Sequence, residues 1–482
     1  MLAAKAADAA SASYPSSTKS ASALEDARVE LDQFDPELVR RTWRKVDWAI
    51  LPIAVILYLA AYIDRANIGN AKVLGLATSL ELTSNQYNWA LSIFFIGYVI
   101  FETPSNILLR KISPRWYIPT LTVFWGLVCA LFATVKSAKG LLAIRFFLGV
   151  AEAGFLPGIV YWLLYSTVSL TGAFGGLLAT AIHSLDGTYG IAGWKWIFIV
   201  EGCVTGGLGL LSFLVMPAYP DTARFLSPGE KHVVQRANET DRGQRADERF
   251  RGAQVRAAFA DWRTWLWGLV YIAIYIPVYS IILSLPSVVT GLGYAGTHAT
   301  LMACPPYGVG FVIVLIAGWT TDRYGGLFAH FVGAIVVVVV ALVVLMTVES
   351  LVVRYVMFFF VMFMFIPVSV CWTWLGSNVA GATKRAAALG VVFSLGNIGG
   401  AVSGQIYRAE WAPRYVQGHA INVACYAIAL VAGAALWWSY KTDNERRDRA
   451  AHETVKRTRE HDLLGEDLGD LGDRHPSFRY YL

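Results

Sequence analysis

Long apolar stretches separated by short polar connections dominate the sequence. Stretches of roughly 20 residues, the length that crosses the hydrocarbon core of a bilayer, begin near Trp48, Trp89, Trp116, Leu141, Trp194, Trp265, Leu301, Leu327, Leu351, Ala386 and Ala420. The apolar run from Leu141 to Leu185 has few ionisable residues and is long enough for two spans. The pattern therefore predicts an all-α membrane protein with twelve transmembrane helices, in which a very short connection joins helices 4 and 5.

The polar connections alternate in charge along the chain. Taken together, every second connection holds far more Lys and Arg than the connections between them, and the basic set lies on the side of the N-terminus, which predicts that this side is cytoplasmic. The longest polar connection divides the spans six plus six. We expect a disordered cytoplasmic tail (1–45), a first six-helix bundle (46–216), a cytoplasmic central loop (217–262), a second six-helix bundle (263–441) and a cytoplasmic C-terminal tail (442–482).

Composition agrees with a membrane protein and excludes several functions. The chain is 56% hydrophobic and only 15% charged, whereas soluble domains carry about a quarter charged residues. Its net charge of +6 comes from the basic connections, which favours membrane orientation over nucleic-acid binding. The five cysteines are scattered without metal-ligand spacing, and no catalytic motif such as GxSxG or HExxH occurs. We therefore expect no enzyme activity, no metal and no cofactor.

Two pairs of charged residues inside the predicted spans stand out. Asp64 and Arg65 are adjacent in helix 1, and Arg145 and Glu152 share one face of helix 4. Because each buried charge costs about 3 kcal/mol at mid-membrane, these residues require a reason. One interpretation is structural ion pairs that lock the helices. The other, which we favour, is proton-coupled anion transport, in which a carboxylate takes up a proton and the guanidinium it releases binds an organic carboxylate.

Uncharged polar residues in the spans are further candidates for substrate binding. Two tyrosines, Tyr62 and Tyr98, lie in helices 1 and 2, although packing or interface anchoring is the more usual role of such tyrosines. Helices 10 and 11 contribute Trp374, Ser377, Asn378 and Asn397. Asparagine in an apolar helix often bonds a neighbouring helix, so both explanations stay open.

Several longer motifs resemble the major facilitator superfamily, and within it the anion:cation symporters, especially the fungal allantoate permease group. They are YIDRANIGNA (62–71), YVIFETPSNILLRK (98–111), RFFLGVAEAGFLPG (145–158), GWKWIFIVEG (193–202), GLGYAGTHATLMACPPYGVG (291–310), SNVAGATKRA (377–386) and GNIGGAVSGQIYRAEWAPRYVQGHAIN (396–422). The resemblance implies a major facilitator fold and import of a carboxylated vitamin, ureide or related acid with protons. It implies proton coupling by Asp64 and Glu152 and substrate binding by Arg65 and Arg145.

The resemblance also implies a polar, arginine-rich loop between helices 4 and 5, which residues 161–176 (YWLLYSTVSLTGAFGG) do not supply. The alternatives are a nutrient receptor that does not transport and a transport-impaired splice product of such a carrier. We expect a monomer in the plasma membrane whose partners are the lipid bilayer and a small organic anion, with protons as the coupling ion and no nucleic acid.

Overall fold

The computed structural model describes residues 34–112, 114–153, 161–216, 223, 225–234, 252–380, 382–457 and 478–481 of the 482. Its long helices are α1 Pro36–Ala71, α2 Ser84–Lys111, α3 Pro114–Leu131, α4 Ala138–Glu152, α5 Tyr161–His183, α6 Gly193–Val215, α7 Trp262–Thr290, α8 Thr297–Tyr324, α9 Leu327–Thr347, α10 Leu351–Asn378, α11 Ala382–Ser403 and α12 Val416–Arg457. A short helix, Gly252–Ala260, precedes α7. No strand occurs in the described part of the chain.

Length and apolarity explain why these helices cross a membrane. Nine of the helices in the described ranges are long and apolar enough to span a bilayer by themselves. The exception in length is α4, whose 15 residues extend about 22 Å against a hydrocarbon core of about 30 Å. Residues 161–176 are helical, as a chain without a polar loop requires. The short connection between helices 4 and 5 lies at 154–160, outside the described residues.

Helix boundaries differ from the predicted domain boundaries at both ends of the chain. We expected a disordered tail up to residue 45, but α1 already begins at Pro36, where Asp35 accepts the Glu37 N–H over 3.0 Å. A capping carboxylate followed by proline starts a helix strongly. Similarly, α12 continues to Arg457, well past the predicted end of the second bundle. Residues 228–234 of the central loop are also helical.

The helices pack as two bundles that meet along a few helix pairs. In the first bundle α3 packs on α6, α2 on α4 and α1 on α5; in the second, α7 packs on α11 and α12, and α9 on α10 and α12. Between the bundles α5 packs on α8, α2 on α11 and α1 on α7. We call the side at which α1 begins the inner side and the side at which it ends the outer side.

Small residues bring the two bundles together in their outer halves. A methyl group added at Gly176 of α5 would lie 2.6 Å from Cys304 Sγ of α8, and one at Gly404, just after α11, would lie 2.8 Å from Leu91 Cβ of α2. Hydrogen bonds accompany these contacts, from Gln405 to Ser92 over 3.1 Å among others. Close approach at small residues is a usual means of helix association in membranes, and here it packs the two bundles against each other on the outer side.

Candidate functional site

An ion pair between α1 and α4 forms the centre of the site. Arg65 Nη2 donates to Glu152 Oε2 over 2.7 Å, and Arg65 Nε donates to the same oxygen over 3.2 Å. Arg65 is 5% exposed and Glu152 only 1%. The burial of each charge therefore depends on the other residue, because removing one partner of a buried pair leaves an uncompensated charge. The pairing links two helices, not neighbours on the same helix.

Aromatic rings surround the guanidinium of Arg65. Its central carbon lies 4.9 Å from the Tyr62 ring centroid, 5.0 Å from that of Phe94 and 5.3 Å from that of Tyr98. Its Nη1 donates to the hydroxyl of Tyr279, on α7, over 3.0 Å. Aromatic faces stabilise a desolvated cation, and the bond to Tyr279 places Arg65 at the junction of the two bundles.

Arg145 provides a second buried cation beside the same ring. Its central carbon lies 4.9 Å from the Phe94 centroid, and its Nε donates to the carbonyl oxygen of Ala90 over 3.1 Å. Within the described residues, Nη1 and Nη2 of Arg145 and Oε1 of Glu152 have no hydrogen-bond partner, although all three atoms are buried. Buried polar atoms without a hydrogen-bond partner are uncommon, and each one calls for an explanation. Two guanidinium groups and one carboxyl thus share a small volume with unused hydrogen-bonding capacity.

Asp64 faces the interior of the first bundle. Its Oδ2 accepts from Trp125 Nε1 over 2.7 Å and from Thr205 Oγ1 over 3.1 Å. Consecutive helical residues point about 100° apart, so the chain neighbours Asp64 and Arg65 face different helices. The four predicted charges therefore divide: Arg65 and Glu152 meet at the bundle junction, Arg145 lies against α2, and Asp64 lies among α1, α3 and α6.

Asn397 lies at the contact between the bundles. Its Nδ2 donates to Glu102 Oε2, on α2, over 3.3 Å. Glu102 follows Tyr98 by one helical turn, on the inner side of the Arg65 site. This bond joins α11 to α2 between the central charges and the inner side.

Three predicted binding residues lie elsewhere, at the inner end of α10. Trp374 Nε1 donates to the carbonyl oxygen of Tyr481 over 2.9 Å. Asn378 Nδ2 donates to the same oxygen over 3.0 Å, and Asn378 Oδ1 accepts from the Tyr481 N–H over 2.7 Å. Ser377 lies beside them and is half-buried. The structure thus places Trp374 and Asn378 against the C-terminal segment of the chain and not against the central charges.

Sequence reasoning missed three residues of this region. Glu201 of α6 carries the same signal as Glu152, a carboxyl inside an apolar span, and could have been found. Glu102 stands inside a motif that we used only for the resemblance. Tyr279 gave no signal, because its contact with Arg65 exists only after the two bundles pack.

Comparison with known proteins identifies the family of this chain. A sequence model described as Major Facilitator Superfamily matches residues 54–404. MFS transporter prlL of Fungal sp. (strain NRRL 50135) is 31% identical over 441 residues, which cover 86% of this chain and 89% of that protein. MFS-type transporter cnsO of Penicillium expansum is 30% identical over 473 residues, 92% of this chain and 90% of that one.

Solved structures show the same fold. The crystal structure of a bacterial homolog to the human lysosomal transporter Spinster, in an inward-facing and unoccupied conformation, aligns with a TM-score of 0.61 at 13% identity and covers 84% of this chain and 97% of that one. The family model and these relatives show that the chain is a multi-pass membrane transporter. The chain belongs to the major facilitator superfamily.

Proposed function

We propose that the protein is a proton-coupled symporter of the anion:cation symporter family, similar to the allantoate permease group. It imports a small organic anion, such as a carboxylated vitamin, a ureide or a related nutrient acid, across the plasma membrane. The observation that carries this proposal is the buried Arg65–Glu152 pair beside Arg145, whose two terminal amino groups have no protein partner within the described residues. Planar guanidinium groups bind carboxylates with paired hydrogen bonds.

Protonation of Glu152 is the step that couples the proton to the anion. While Glu152 is ionised, it holds Arg65 through Oε2. A proton on Glu152 removes the charge that Arg65 neutralises, and a substrate carboxylate then takes its place. Arg145 lies against the same Phe94 ring as Arg65 and supplies the second guanidinium that binds the substrate. Anion and proton enter together because a buried cation needs one negative partner at a time.

Tyr279 connects this exchange to the movement of the bundles. Its hydroxyl accepts from Arg65 Nη1 across the junction. When Arg65 turns to a substrate, that bond must be remade, so the α1–α7 contact responds to occupancy. A ligand shifts a conformational equilibrium only through such differences in contact between the states.

The test is uptake by purified protein in liposomes with an imposed pH gradient, acid outside, using a panel of radiolabelled small carboxylates. We expect concentrative uptake of at least one acid and its loss when a protonophore collapses the gradient. Glu152→Gln, which keeps the shape of the side chain and cannot ionise, should lose concentrative uptake while retaining exchange of labelled for unlabelled acid.

Two results would contradict the proposal. Accumulation by Glu152→Gln equal to that of the unmodified protein would remove the proton role. Binding that saturates at one acid per protein, with no accumulation under any gradient, would instead indicate a receptor.

A further inference from the structure

A second buried polar cluster lies in the first bundle, among α1, α3 and α6. Its centre is Glu201 of α6, which is 4% exposed. Glu201 Oε1 accepts from Asn67 Nδ2 in a short hydrogen bond, and Asn67 Oδ1 accepts from Asn70 Nδ2 over 2.9 Å. Glu201 Oε2 is buried and has no hydrogen-bond partner within the described residues. The proposed substrate site makes no use of this carboxyl.

Two side-chain hydrogen bonds connect α1 and α6 here. Asp64 bonds Thr205, and Asn67 bonds Glu201. On α1 the two residues are three positions apart, on α6 four, and the order is reversed as antiparallel helices require. Each spacing is about one helical turn, so the Asp64 and Glu201 carboxyls lie on facing sides of α1 and α6, roughly 5 Å apart along the axes.

Four cations of the first bundle whose side chains the structure describes contact other groups. Arg65 pairs with Glu152, and Arg145 lies over Phe94. At the outer ends, the ammonium of Lys72 lies 4.2 Å from the Tyr87 centroid, and that of Lys195 lies 5.3 Å from the Trp194 centroid. Among the described side chains of α5 the titratable group is His183 at its outer end.

The third helix adds a thiol and an indole to the cluster. The Cys129 thiol of α3 lies 3.7 Å from Asp64 Oδ1. The Trp125 N–H can only donate, and together with the Thr205 hydroxyl it supplies two donors to Asp64 Oδ2. Asp64 is therefore arranged as an ionised acceptor, whereas Glu201 Oε2 receives no donor. Two ionised carboxylates this close, without a cation against them, are strongly unfavourable in a low-dielectric interior.

We propose that Asp64 and Glu201 form a second proton site of the carrier, with the proton carried on Glu201 Oε2. The role in transport rests on the proposed function, whereas the protonated carboxyl itself does not. Transfer of this proton to the Asp64 carboxylate breaks one O–H bond, forms another and leaves the pair with one negative charge. Release to water raises the pair to two negative charges, which must be relieved by movement of α1 against α6. Because Asp64 precedes Arg65 on α1, that movement reaches the substrate site.

The test detects the proton on Glu201 directly and needs no substrate. Infrared difference spectra of the purified full-length protein, recorded at neutral pH with and without deuterium exchange, should contain a protonated carboxyl band that Glu201→Gln removes. Thr205→Val, the matched control, keeps both carboxyls and should retain the band. Asn67→Leu removes the donor to Oε1 and should shift the frequency of the band, which gives a reading even if Glu201→Gln fails to fold.

Each outcome decides the proposal. A spectrum unchanged by Glu201→Gln, or a band unmoved by Asn67→Leu, would overturn it, and so would a band that appears only after sodium is removed, because Glu201 would then hold a cation. In liposomes that transport, Glu201→Gln should lower the number of protons moved per anion by one and flatten the pH profile of uptake. Loss of the band without this change would confine Glu201 to a structural role, while absence of uptake in the unmodified protein would count against the proposed function alone.

Discussion

At the scale of single residues, Arg65 makes contacts that no other side chain can reproduce. It donates twice to Glu152, once to Tyr279 and lies against the Tyr62 ring. Lysine has the charge but lacks the planar fork. We therefore expect Arg65→Lys to fold and to raise the KM for uptake about tenfold to a hundredfold, which corresponds to the 1.5–3 kcal/mol typical of a hydrogen bond to a charged group.

A substitution at a surface cation, Lys139, is the control for this measurement. Lys139, at the outer start of α4, is exposed, so Lys139→Ala should leave the KM unchanged, as is usual for surface charges. A KM of Arg65→Lys within twofold of the unmodified protein would contradict substrate binding by Arg65.

The sequence identified four charged residues of the site but not their partners. A charge in an apolar span is visible without coordinates because its cost demands a function, and Asp64, Arg65, Arg145 and Glu152 were found in this way. Which of them meet depends on helix rotation and packing. Arg65 meets Glu152 across 87 positions of chain, and no pattern local to α1 specifies that partner.

At the scale of helices, the contact of α2 with the residues just after α11 closes the outer side. A side chain at Gly404 would meet Leu91 Cβ and Ser92 Oγ at 2.8 Å. We expect Gly404→Ile to push the outer halves apart, since neither neighbour can move freely in a packed interface. A cysteine at Thr300, which is fully buried and bonded to Thr180, should then react severalfold faster with a membrane-impermeant thiol reagent added from the outer side.

A second glycine provides the control for this experiment. A methyl group at Gly308 of α8 would meet no atom within 4 Å, so Gly308→Ile in the same reporter should leave the labelling rate unchanged. Equal rates for Gly404→Ile and the parent would show that this contact does not hold the outer side closed.

The helical segment 228–234 is tied to α1 by a bond that depends on pH. Lys45 Nζ donates to Glu230 Oε1 over 2.6 Å, and the Ser227 N–H donates to Oε2 over 2.9 Å. These two bonds lower the pKa of Glu230 from 4.5 to about 2. A carboxyl whose folded pKa is depressed stabilises the folded state above its unfolded pKa. The attachment should therefore be complete above pH 4.5 and weaken as the pH falls toward 2.

Hydrogen exchange of 228–234, corrected for the intrinsic rate, measures this attachment. Lys45→Met should raise the pH at which exchange accelerates, because it removes the larger cause of the pKa shift. Arg44→Met, at the exposed neighbouring position, should not. Identical profiles for Lys45→Met and the parent would rule out the Lys45 bond as the tie.

The sequence predicted which segments are helical better than it predicted where the helices begin and end. Apolar length determined where spans occur, and the described helices cover every predicted one. The ends depend on local bonds with no hydropathy signal, such as the Asp35 cap that starts α1 before the apolar run begins. The same holds for residues 228–234, a polar helix whose first turn is capped by Ser227.

At the scale of the whole molecule, the two-bundle architecture follows from the even number of spans and the central polar connection. The contacts that decide function do not, because they join residues of different bundles. Tyr279 with Arg65 and Asn397 with Glu102 each connect positions more than 200 residues apart. Asn378 is another such case: its polarity in an apolar helix left substrate binding and a structural bond equally open, and its partner in the structure is the backbone of Tyr481.

The C-terminal residues 478–481 dock across the inner end of the second bundle. The Tyr480 ring stacks on Tyr440 with centroids 4.6 Å apart, and its hydroxyl accepts from Arg263 over 2.9 Å. Asn444 bonds both the N–H and the carbonyl of Tyr480, and Asn378 does the same for Tyr481. One short segment thus contacts α7, α10 and α12 at the inner side.

Removal of residues 478–482 should therefore lower the stability of the second bundle and leave substrate affinity unchanged. A net loss of about 2 kcal/mol is reasonable for several hydrogen bonds and one ring stack, and it is measured as a lower melting temperature of the purified protein. Asn378→Ala alone should lower the melting temperature, yet cause no further loss in the shortened chain, because both changes remove the same contact. Arg479→Ala, at an exposed ion pair with Asp448, should have little effect. If Asn378→Ala raised the KM for uptake while removal of 478–482 did not, Asn378 would contact substrate in another state of the carrier, and the stabilising role of the C-terminal segment would not account for it.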